Sequence, residues 1–379
     1  MAIALKEQTN VSTAEVTVDA LALKAALKQA GYVVNPRANL PIIQHVLLRA
    51  EVDRLVLTAT NLDTWLETRV GAQVTHTGNA AVPYRVLVDV LKSASGAVTI
   101  AADLSDPAFP LVRLTTGRGT ATINCLPADE FPMLPESTPM QDTAVAGLCE
   151  ALAQVTPIAS ADPTRGVINS VRMEHDRLMA TDTHRLVSLK HECGTPSWQP
   201  ICLRRDLCEK LGKMLGCTPH AEVTVAANRN QAKFACGDTT VHSRLVEGQY
   251  PNFDKVIPTE PSGRIEVNPT MFSDALDWVE PVAREAANRV IVAIDGDLLA
   301  IHAESGIIGQ ADALCAVESQ GTWREFRIAL SCRYLGDGLA LFAGCSAVTI
   351  QGNGPVNQVM LTSEERPEIT YVAMPIQSG

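Results

Sequence analysis

Residues 180–189, ATDTHRLVSL, bring three chemically capable side chains together in a strand-like run. Asp182, His184 and Arg185 could form a proton-transfer relay, contribute to a metal site, or line the rim of a binding pocket. In a strand, side chains alternate between faces, so Asp182 and His184 would share one face and Arg185 would point the other way. That alternation favours a pocket wall over a three-residue relay.

No motif elsewhere supplies the partners that catalysis at His184 would need. The sequence has no GxSxG elbow, HExxH pair or phosphate-binding loop. Its ten cysteines form no CxxC pair and no compact zinc-ligand spacing. Cys125, Cys202, Cys208 and Cys345 sit among apolar residues, which is typical of reduced, buried thiols in a cytosolic protein. We expect no metal and no cofactor, and a hydrolase using His184 with a cysteine or serine has only proximity in its favour.

Length and charge limit the kind of protein. A chain of 379 residues exceeds one ordinary core, so two or three domains are expected. The net charge of −11 argues against a general nucleic-acid binder, although it allows a local basic face. No apolar run reaches the roughly 18–20 residues of a membrane helix. The first residues lack a basic start followed by an apolar stretch, so no signal peptide is expected.

The elements that position residues 180–189 belong to a plan that occurs three times. Three segments each predict a hairpin of two strands around an acidic turn, with the turn aspartates about 120 residues apart. These are LLRAEVDRLVLTATN from Leu47 with Asp53, VRMEHDRLMATDT from Val171 with Asp176, and VAIDGDLLAIHAES from Val292 with Asp297.

A helix is predicted before each hairpin and another after it. The first helices are LALKAALKQA, GLCEALAQV and MFSDALDWV, and the second lie near 84–94, 204–215 and 331–342. In the first and last of the leading helices, apolar residues recur at i, i+3, i+4 and i+7. Two repeats close alike, with Phe131-Pro132 and Tyr250-Pro251.

The sequence therefore predicts an α+β fold of three similar domains, each of antiparallel sheets with two helices. Linker-like PESTPMQDT and TEPSG place the domains at 1–138, 139–262 and 263–379. Three similar domains in a row suggest an arc. Two arcs joined head to tail would close into a ring, because heterologous contacts close when the rotation permits.

The chain resembles the bacterial sliding clamp, the β subunit of DNA polymerase III, along nearly its whole length. The matching stretches are LPIIQHVLL, LVLTATNLDTWLETRV, LPADEFPML, DPTRGVINSV, ATDTHRL, LVEGQYPNF, DGDLLAIHAES and the terminal YVAMPI. The resemblance implies a non-catalytic homodimeric ring around duplex DNA, which tethers polymerases and other DNA-handling proteins and is opened by a clamp loader. It places the dimer contact near Val282 and Ala283 and at the edge strand following Leu111.

In such a ring, lysines and arginines on inward helices would attract phosphates without reading sequence. Arg37 matches a position where the clamp family touches DNA. The first helix of the third domain instead carries Asp274, Asp277 and Glu280, so that face is not predicted to line DNA. The predicted DNA-facing residues are Lys24, Lys28, Arg37, Arg85, Lys92, Arg204, Arg205, Lys210 and Lys213.

In the clamp family, the segment ATDTHRL borders a pocket between the second and third domains that receives short peptides from polymerases and the loader. Aliphatic walls, a flexible methionine and a few polar rim groups suit a peptide. The residues carried over by the resemblance are Ile168, Thr181, Thr183, His184, Arg185, Leu186, Pro251, Lys255, Val256, Gln358, Val372, Ala373, Met374, Pro375 and Ile376.

Some positions depart from the family pattern. Thr183 stands where glycine is usual and Lys255 where arginine is common. The chain ends Gln377-Ser378-Gly379 instead of Arg-Leu, and about thirteen residues precede the expected start near Ala14. These departures predict a shift in peptide preference away from the glutamine-leucine-phenylalanine type. With the acidic third-domain helix, they keep open an alternative, a clamp-derived scaffold that binds peptides without encircling DNA.

Overall fold

A computed structural model describes residues 13–376, apart from 107, 109, 137, 194–197, 219, 259, 322 and 324. The predicted N-terminal extension before Thr13 and the tail Gln377–Gly379 lie outside the described residues. The chain forms two compact units. Unit 1 comprises 1–149, 196–198 and 210–245, and unit 2 comprises 150–195, 199–209 and 246–379. The three-domain boundaries stay a prediction.

Antiparallel strands make up most of both units. The strands are β1 Thr13–Asp19, β2 His45–Glu51, β3 Arg54–Thr60, β4 Thr64–His76, β5 Gly78–Pro83, β6 Ala97–Asp103, β7 Leu111–Thr116, β8 Gly119–Asn124, β9 Thr143–Ala146, β10 Ser170–Met173, β11 Arg177–Thr181, β12 Arg185–Lys190, β13 Ile201–Arg204, β14 Glu222–Ala227, β15 Gln231–Cys236, β16 Thr239–Arg244, β17 Gly263–Val267, β18 Arg289–Asp295, β19 Leu298–Ser305, β20 Gly309–Gly321, β21 Glu325–Ser331, β22 Val348–Gly352, β23 Val359–Thr362 and β24 Ile369–Ala373.

Seven α-helices and five short 3-10 helices occur among the described residues. The α-helices are α1 Ala20–Ala30, α2 Tyr84–Leu91, α3 Leu148–Val155, α4 Arg205–Cys208, α5 Leu211–Leu215, α6 Pro269–Arg284 and α7 Cys332–Ala340. The 3-10 helices are Pro41–Gln44, Ala128–Glu130, Thr156–Ile158, Pro163–Ile168 and Phe253–Lys255. In this part of the chain, no helix combines the length and apolar character needed to cross a bilayer.

Each unit contains one large sheet. In unit 1 the order β8-β7-β6-β1-β4-β16-β15-β14-β9 is joined by β2, β3 and β5, and in unit 2 the order is β13-β10-β11-β12-β24-β23-β22-β17-β20-β19-β18-β21. The α+β fold with antiparallel sheets is therefore confirmed. The dimer contact is predicted at the edge strand following Leu111; β7 begins at Leu111 and pairs on both sides, and the next strand, β8, forms the edge of the sheet.

Local sequence patterns account for most of these elements. The predicted hairpins are confirmed as β2–β3, β10–β11 and β18–β19. Helix α1 begins where the Asp19 carboxylate accepts hydrogen bonds from two backbone amides, and it buries its predicted apolar face. Helix α6 begins after Asn268, whose side-chain oxygen accepts a hydrogen bond from the amide of Met271. The single helix predicted near 204–215 is instead two, α4 and α5, because Lys210 adopts φ −120°, outside the helical range.

The cysteines expected to pack as small apolar side chains do so. All four are buried: Cys125, Cys202, Cys208 and Cys345. Burial raises the pKa of the Cys125 thiol to about 12, so this thiol stays protonated and unreactive at neutral pH.

Helix α7 and strand β24 approach most closely at Gly338. A Cβ atom placed on Gly338 would lie 2.5 Å from Cε1 of Tyr371, whose ring is fully buried. The Tyr371 hydroxyl donates a hydrogen bond to the carbonyl of Tyr334, at 2.7 Å. Gly336, two positions earlier on the same helix, has open space around its Cα atom.

We predict opposite effects of alanine at these two glycines. Gly338→Ala should destabilise unit 2 by about 1–3 kcal/mol, because the new methyl group displaces a packed ring. Gly336→Ala should stabilise it by about 0.5–1 kcal/mol, since alanine restricts the unfolded chain and favours the helix. Scanning calorimetry would measure both. Equal transition temperatures for the two variants would contradict the close approach.

Candidate functional site

The segment that joins β11 to β12 is a turn. One oxygen of the Asp182 carboxylate accepts hydrogen bonds from the amides of His184, at 3.0 Å, and Arg185, at 3.1 Å. Its other oxygen accepts from Nε of Arg185, at 3.0 Å. The predicted alternation is therefore wrong at these positions, because Asp182 and Arg185 face each other across a turn instead of pointing to opposite sides of a strand.

Arg185 is the most deeply buried charged side chain of the candidate site, with 4% of the side chain exposed. Its guanidinium forms ion pairs with Asp182 and with Asp337 of α7, and it donates to the carbonyl of Pro157, at 3.3 Å. It also lies 4.6 Å from the ring centre of Tyr334. Burial opposes the charge, but the pKa of Arg185 is raised by Tyr371, Asp337 and Asp182. A buried charge is tolerated when it is paired and hydrogen-bonded in this way.

His184 has neither relay nor metal geometry. Its ring is exposed and stacks on Tyr334 at a centroid distance of 6.2 Å. The Asp182 carboxylate is already bound by two amides and a guanidinium. Within the described ranges, no group of three or more histidine, cysteine, aspartate or glutamate side chains is placed to hold a metal ion. The His184 ring is therefore exposed on a turn whose backbone is fixed by hydrogen bonds to Asp182.

The backbone of this turn is strained at Thr183, where φ is +80°. Left-handed backbone is costly for a β-branched residue. The same turn occurs in unit 1 between β3 and β4, where Leu62 has φ +76°. In both copies a threonine hydroxyl donates to a carbonyl four residues later, Thr181 to Arg185 at 2.6 Å and Thr60 to Thr64 at 2.9 Å.

All fifteen residues predicted for the peptide pocket lie in unit 2. Six of them are buried and form a floor: Ile168, Thr181, Arg185, Leu186, Val372 and Ala373. Nine are exposed or half-exposed and form a rim: Thr183, His184, Pro251, Lys255, Val256, Gln358, Met374, Pro375 and Ile376. We call this surface the unit 2 groove.

Strand pairing joins residues of the floor, and hydrogen bonds join residues of the rim to one another. Leu186 of β12 pairs with Val372 of β24, and the amide of Met374 donates to the carbonyl of His184, at 2.8 Å. The Gln358 side chain donates to the carbonyl of Val256, also at 2.8 Å. Below, Leu186 and Val372 belong to an apolar cluster with Met179, Cys202, Tyr250, Phe253 and Met360. Leu186 and Val372 therefore give the floor an apolar part.

Sequence reasoning missed three contributors to this surface. Tyr334 and Asp337 reach the turn from α7, and Arg165 donates to the carbonyl of Asp182, at 3.0 Å. Their i, i+3 spacing places Tyr334 and Asp337 on one helix face, but nothing local links them to residue 185. Pro375 and Ile376 also line a cleft of about 430 Å³.

The residues predicted to face DNA fall into two groups, exposed cations and cations that are bonded to other groups of the protein. In unit 1, helix α1 packs against α2 and α5. Exposed cations on or beside these helices are Lys28, Arg85, Lys92, Lys210 and Lys213, and Arg37 is exposed in the turn after α1.

The remaining three predicted DNA-facing residues are bound to the protein itself. The Lys24 ammonium donates to the carbonyls of Lys92, at 3.1 Å, and Ala94, at 2.6 Å. In unit 2, Arg204 pairs with Asp206, and Arg205 pairs with Glu209 and donates to the carbonyl of Ala159. We expect these three to attract phosphates less than the exposed cations do.

Comparison with known proteins decides the family. The models of the DNA polymerase III beta subunit N-terminal and C-terminal domains match residues 14–135 and 254–377, well over half of the chain. This chain belongs to the bacterial sliding clamp family. The beta sliding clamp of Synechococcus elongatus is 28% identical over 369 residues, covering 94% of this chain and 97% of that relative. That of Salmonella typhimurium is 26% identical over 370 residues, covering 95% and 99%.

Solved clamps share the fold over their full length. The sliding clamp of Bacillus subtilis superposes with a TM-score of 0.88 at 21% identity, covering 97% of this chain and 100% of that one. The clamp of Bartonella birtlesii, solved bound to griselimycin, gives 0.87 at 24% identity, with the same coverage. The sequence resemblance is therefore confirmed as family membership.

The strained turn generates a stability prediction. Thr183→Gly should stabilise unit 2 by about 1 kcal/mol, because relief of left-handed strain exceeds the added flexibility of the unfolded chain. Thr115→Gly, at an exposed position of β7, should destabilise unit 1 instead. Calorimetric transition temperatures would report both changes. A lower transition temperature for Thr183→Gly would show that the turn holds no strain.

Proposed function

We propose that this clamp works as a homodimeric ring that encircles duplex DNA and tethers polymerases and other DNA-handling proteins without catalysing a reaction. The observation that carries the proposal is the family match at both ends of the chain, together with a shared fold over full-length clamps. Such a ring holds DNA by topology, so it needs no tight contact. We place its action in the cytoplasm, where bacterial chromosomal DNA is replicated.

The exposed cations of unit 1 suit a surface that slides. Lys28, Lys92 and Lys213 are compact charges on flexible stems, which attract phosphates without a preferred register. The chain as a whole carries a charge of −11, so the remaining surface repels DNA. A basic face on an acidic protein would restrict DNA contact to the hole of the ring.

The unit 2 groove is proposed to bind the partner peptides. Its buried floor offers apolar contact, while exposed His184 and Met374 form a polarisable rim that can adapt to different side chains. The main chain of an extended peptide would find polar groups at Gln358 and Thr183. Lys255, exposed at the end of a 3-10 helix, offers a point charge and not a planar fork, which shifts the preferred peptide.

A second candidate function is a scaffold that binds peptides but does not encircle DNA. Helix α6 favours it, since Asp274 and Asp277 are exposed there and Trp278 is 71% exposed beside them. An acidic, aromatic face would repel phosphates and could contact protein instead. The two functions differ in topology.

The ring proposal predicts retention that depends on DNA topology. Light scattering should give a species of twice 40.6 kDa. After loading by its cognate clamp loader with ATP, the protein should stay on a nicked circle through gel filtration and be lost when the circle is cut once, because a tether slides off a free end. Equal retention on circular and linear DNA would refute encirclement. A monomer that binds partner peptides but is retained on neither DNA would favour the scaffold.

The groove proposal predicts a loss of peptide binding in Met374→Asp. An aspartate at this exposed position would lose water when a peptide covers it, so it should weaken binding of a fluorescent glutamine-leucine-phenylalanine peptide about tenfold or more, which is ~1.4 kcal/mol. Met271→Asp, at an exposed methionine of α6, is the matched control and should leave the affinity unchanged. Fluorescence anisotropy would measure both. Unchanged affinity in Met374→Asp would remove the groove from peptide binding.

A further inference from the structure

Unit 1 contains a pocket of about 310 Å³ that the proposed function does not use. Its base is one face of the unit 1 sheet. Leu47 pairs with Thr58, Thr58 with Glu67, and Glu67 with Thr240, so these side chains form a row across β2, β3, β4 and β16. Four strands therefore present a continuous surface to whatever lies above them.

Residues 131–134 cover this surface. Phe131 is buried in an apolar cluster with Ile42, Ile43, Leu47 and Ala81, and the Trp65 indole nitrogen donates to the carbonyl of Pro132, at 3.1 Å. The side chains of the next two residues are exposed. Met133 is 67% exposed and Leu134 is 36% exposed, although both line the pocket. The cover is anchored at one end and offers apolar side chains at the other.

Three polar atoms of residues that line the pocket have no hydrogen-bond partner among the described residues. They are Nε of Arg49, Oγ1 of Thr58 and Nδ1 of His242, each buried. Buried polar atoms are almost always satisfied, so three in one cavity indicate a place where a bound group completes the bonding. Burial, assisted by Lys233, lowers the pKa of His242 to about 4, so its ring is neutral at pH 7.

Cations exceed anions in the lining. Arg49 and Arg69 both pair with Glu67, Arg49 at 2.8 Å. Lys233 pairs with Asp142, at 2.7 Å. Two guanidinium groups that share one carboxylate leave room for a second, and a guanidinium binds a carboxylate through parallel hydrogen bonds. The electrostatics therefore favour a ligand with an acidic group.

The pocket occupies the position in unit 1 that the groove occupies in unit 2. Trp65 follows the Thr60–Thr64 turn as Leu186 follows the turn at Asp182, and Phe131-Pro132 returns the chain as Tyr250-Pro251 does. The chemistry differs, because Trp65 stands at the position of Leu186, and Glu67 stands at the position of Ser188. The unit 1 pocket therefore has more polar side chains beside its turn than the groove has.

We propose that this unit 1 pocket binds a short peptide segment of a partner protein in which an aspartate or glutamate adjoins an apolar residue. A peptide unit supplies both an acceptor for Arg49 and Thr58 and a donor for His242. The carboxylate lies between the guanidinium groups, and the apolar side chain contacts Met133 and Leu134. This function is separate from the unit 2 groove and uses none of its residues.

Methionine methyl groups report on the two sites separately. Protein labelled with ¹³C-methyl methionine gives one signal from Met133 and another from Met374, which can be assigned with Met133→Leu and Met374→Leu. The probes are the acetylated, amidated peptides Ala-Leu-Asp-Ala and Ala-Leu-Asn-Ala. The aspartate peptide should shift the Met133 signal with saturation, and the asparagine peptide should bind about tenfold more weakly, as expected for loss of one charge-assisted bond.

Matched variants test which residues hold the peptide. Arg49→Gln should weaken binding of the aspartate peptide about tenfold. Arg54→Gln, at an exposed arginine of β3 outside the pocket, should not. Thr58→Val retains the side-chain volume, so a several-fold loss there supports the site even if Arg49→Gln folds poorly. A Met133 signal unmoved at millimolar peptide would show a pocket filled only by water and overturn the proposal. A shift of Met374 alone would overturn it too, and would leave the unit 2 groove intact.

Discussion

The guanidinium of Arg185 is the interaction on which the candidate site depends. It is almost fully buried, and its two carboxylate partners come from different places in the chain, Asp182 from its own turn and Asp337 from α7. Removing one partner of a buried pair leaves an uncompensated charge, which typically costs about 3–5 kcal/mol. The β11–β12 hairpin and helix α7 are therefore held at a fixed distance from each other. That separation sets the stacking of His184 on Tyr334 and the close packing of α7 on β24.

Two units show how one backbone plan supports different surfaces. The turns at Thr60 and Thr181 share a hydroxyl-to-carbonyl hydrogen bond, and each has a left-handed residue two positions later, Leu62 and Thr183. Bonds within the turn therefore set its geometry. Only the side chains that follow differ. Leucine after the turn in unit 2 continues into an apolar cluster, whereas tryptophan in unit 1 lines a pocket together with charged and hydroxyl groups. Duplication preserves the backbone bonds and leaves binding chemistry free to change.

Local periodicity was sufficient to predict the hairpins and helix faces, because each depends on residues within one or two turns of each other. It was insufficient where a contact spans the chain. Arg185 and Asp337 are 152 residues apart, so no pattern around either indicates the other. The turn at Asp182 was predicted as strand because threonine at position 183 gives no sign of a positive φ, which glycine or asparagine would have given. The unit 1 pocket was missed because its polar groups come from five strands that only the sheet register brings together.

Charge placement explains how an acidic clamp can hold DNA loosely. Arg204 at the end of β13 and Arg205 at the start of α4 donate to carboxylates and a carbonyl of the same unit, which fixes their side chains. Lys28 on α1, Lys92 just after α2 and Lys213 on α5 are exposed in unit 1, so in the proposed ring they would follow a moving phosphate backbone at little cost. Fixed, bidentate arginines would favour particular positions along DNA. In the proposed ring, mobile point charges would serve a sliding surface better than arginines held in ion pairs, and Lys28, Lys92 and Lys213 supply such charges.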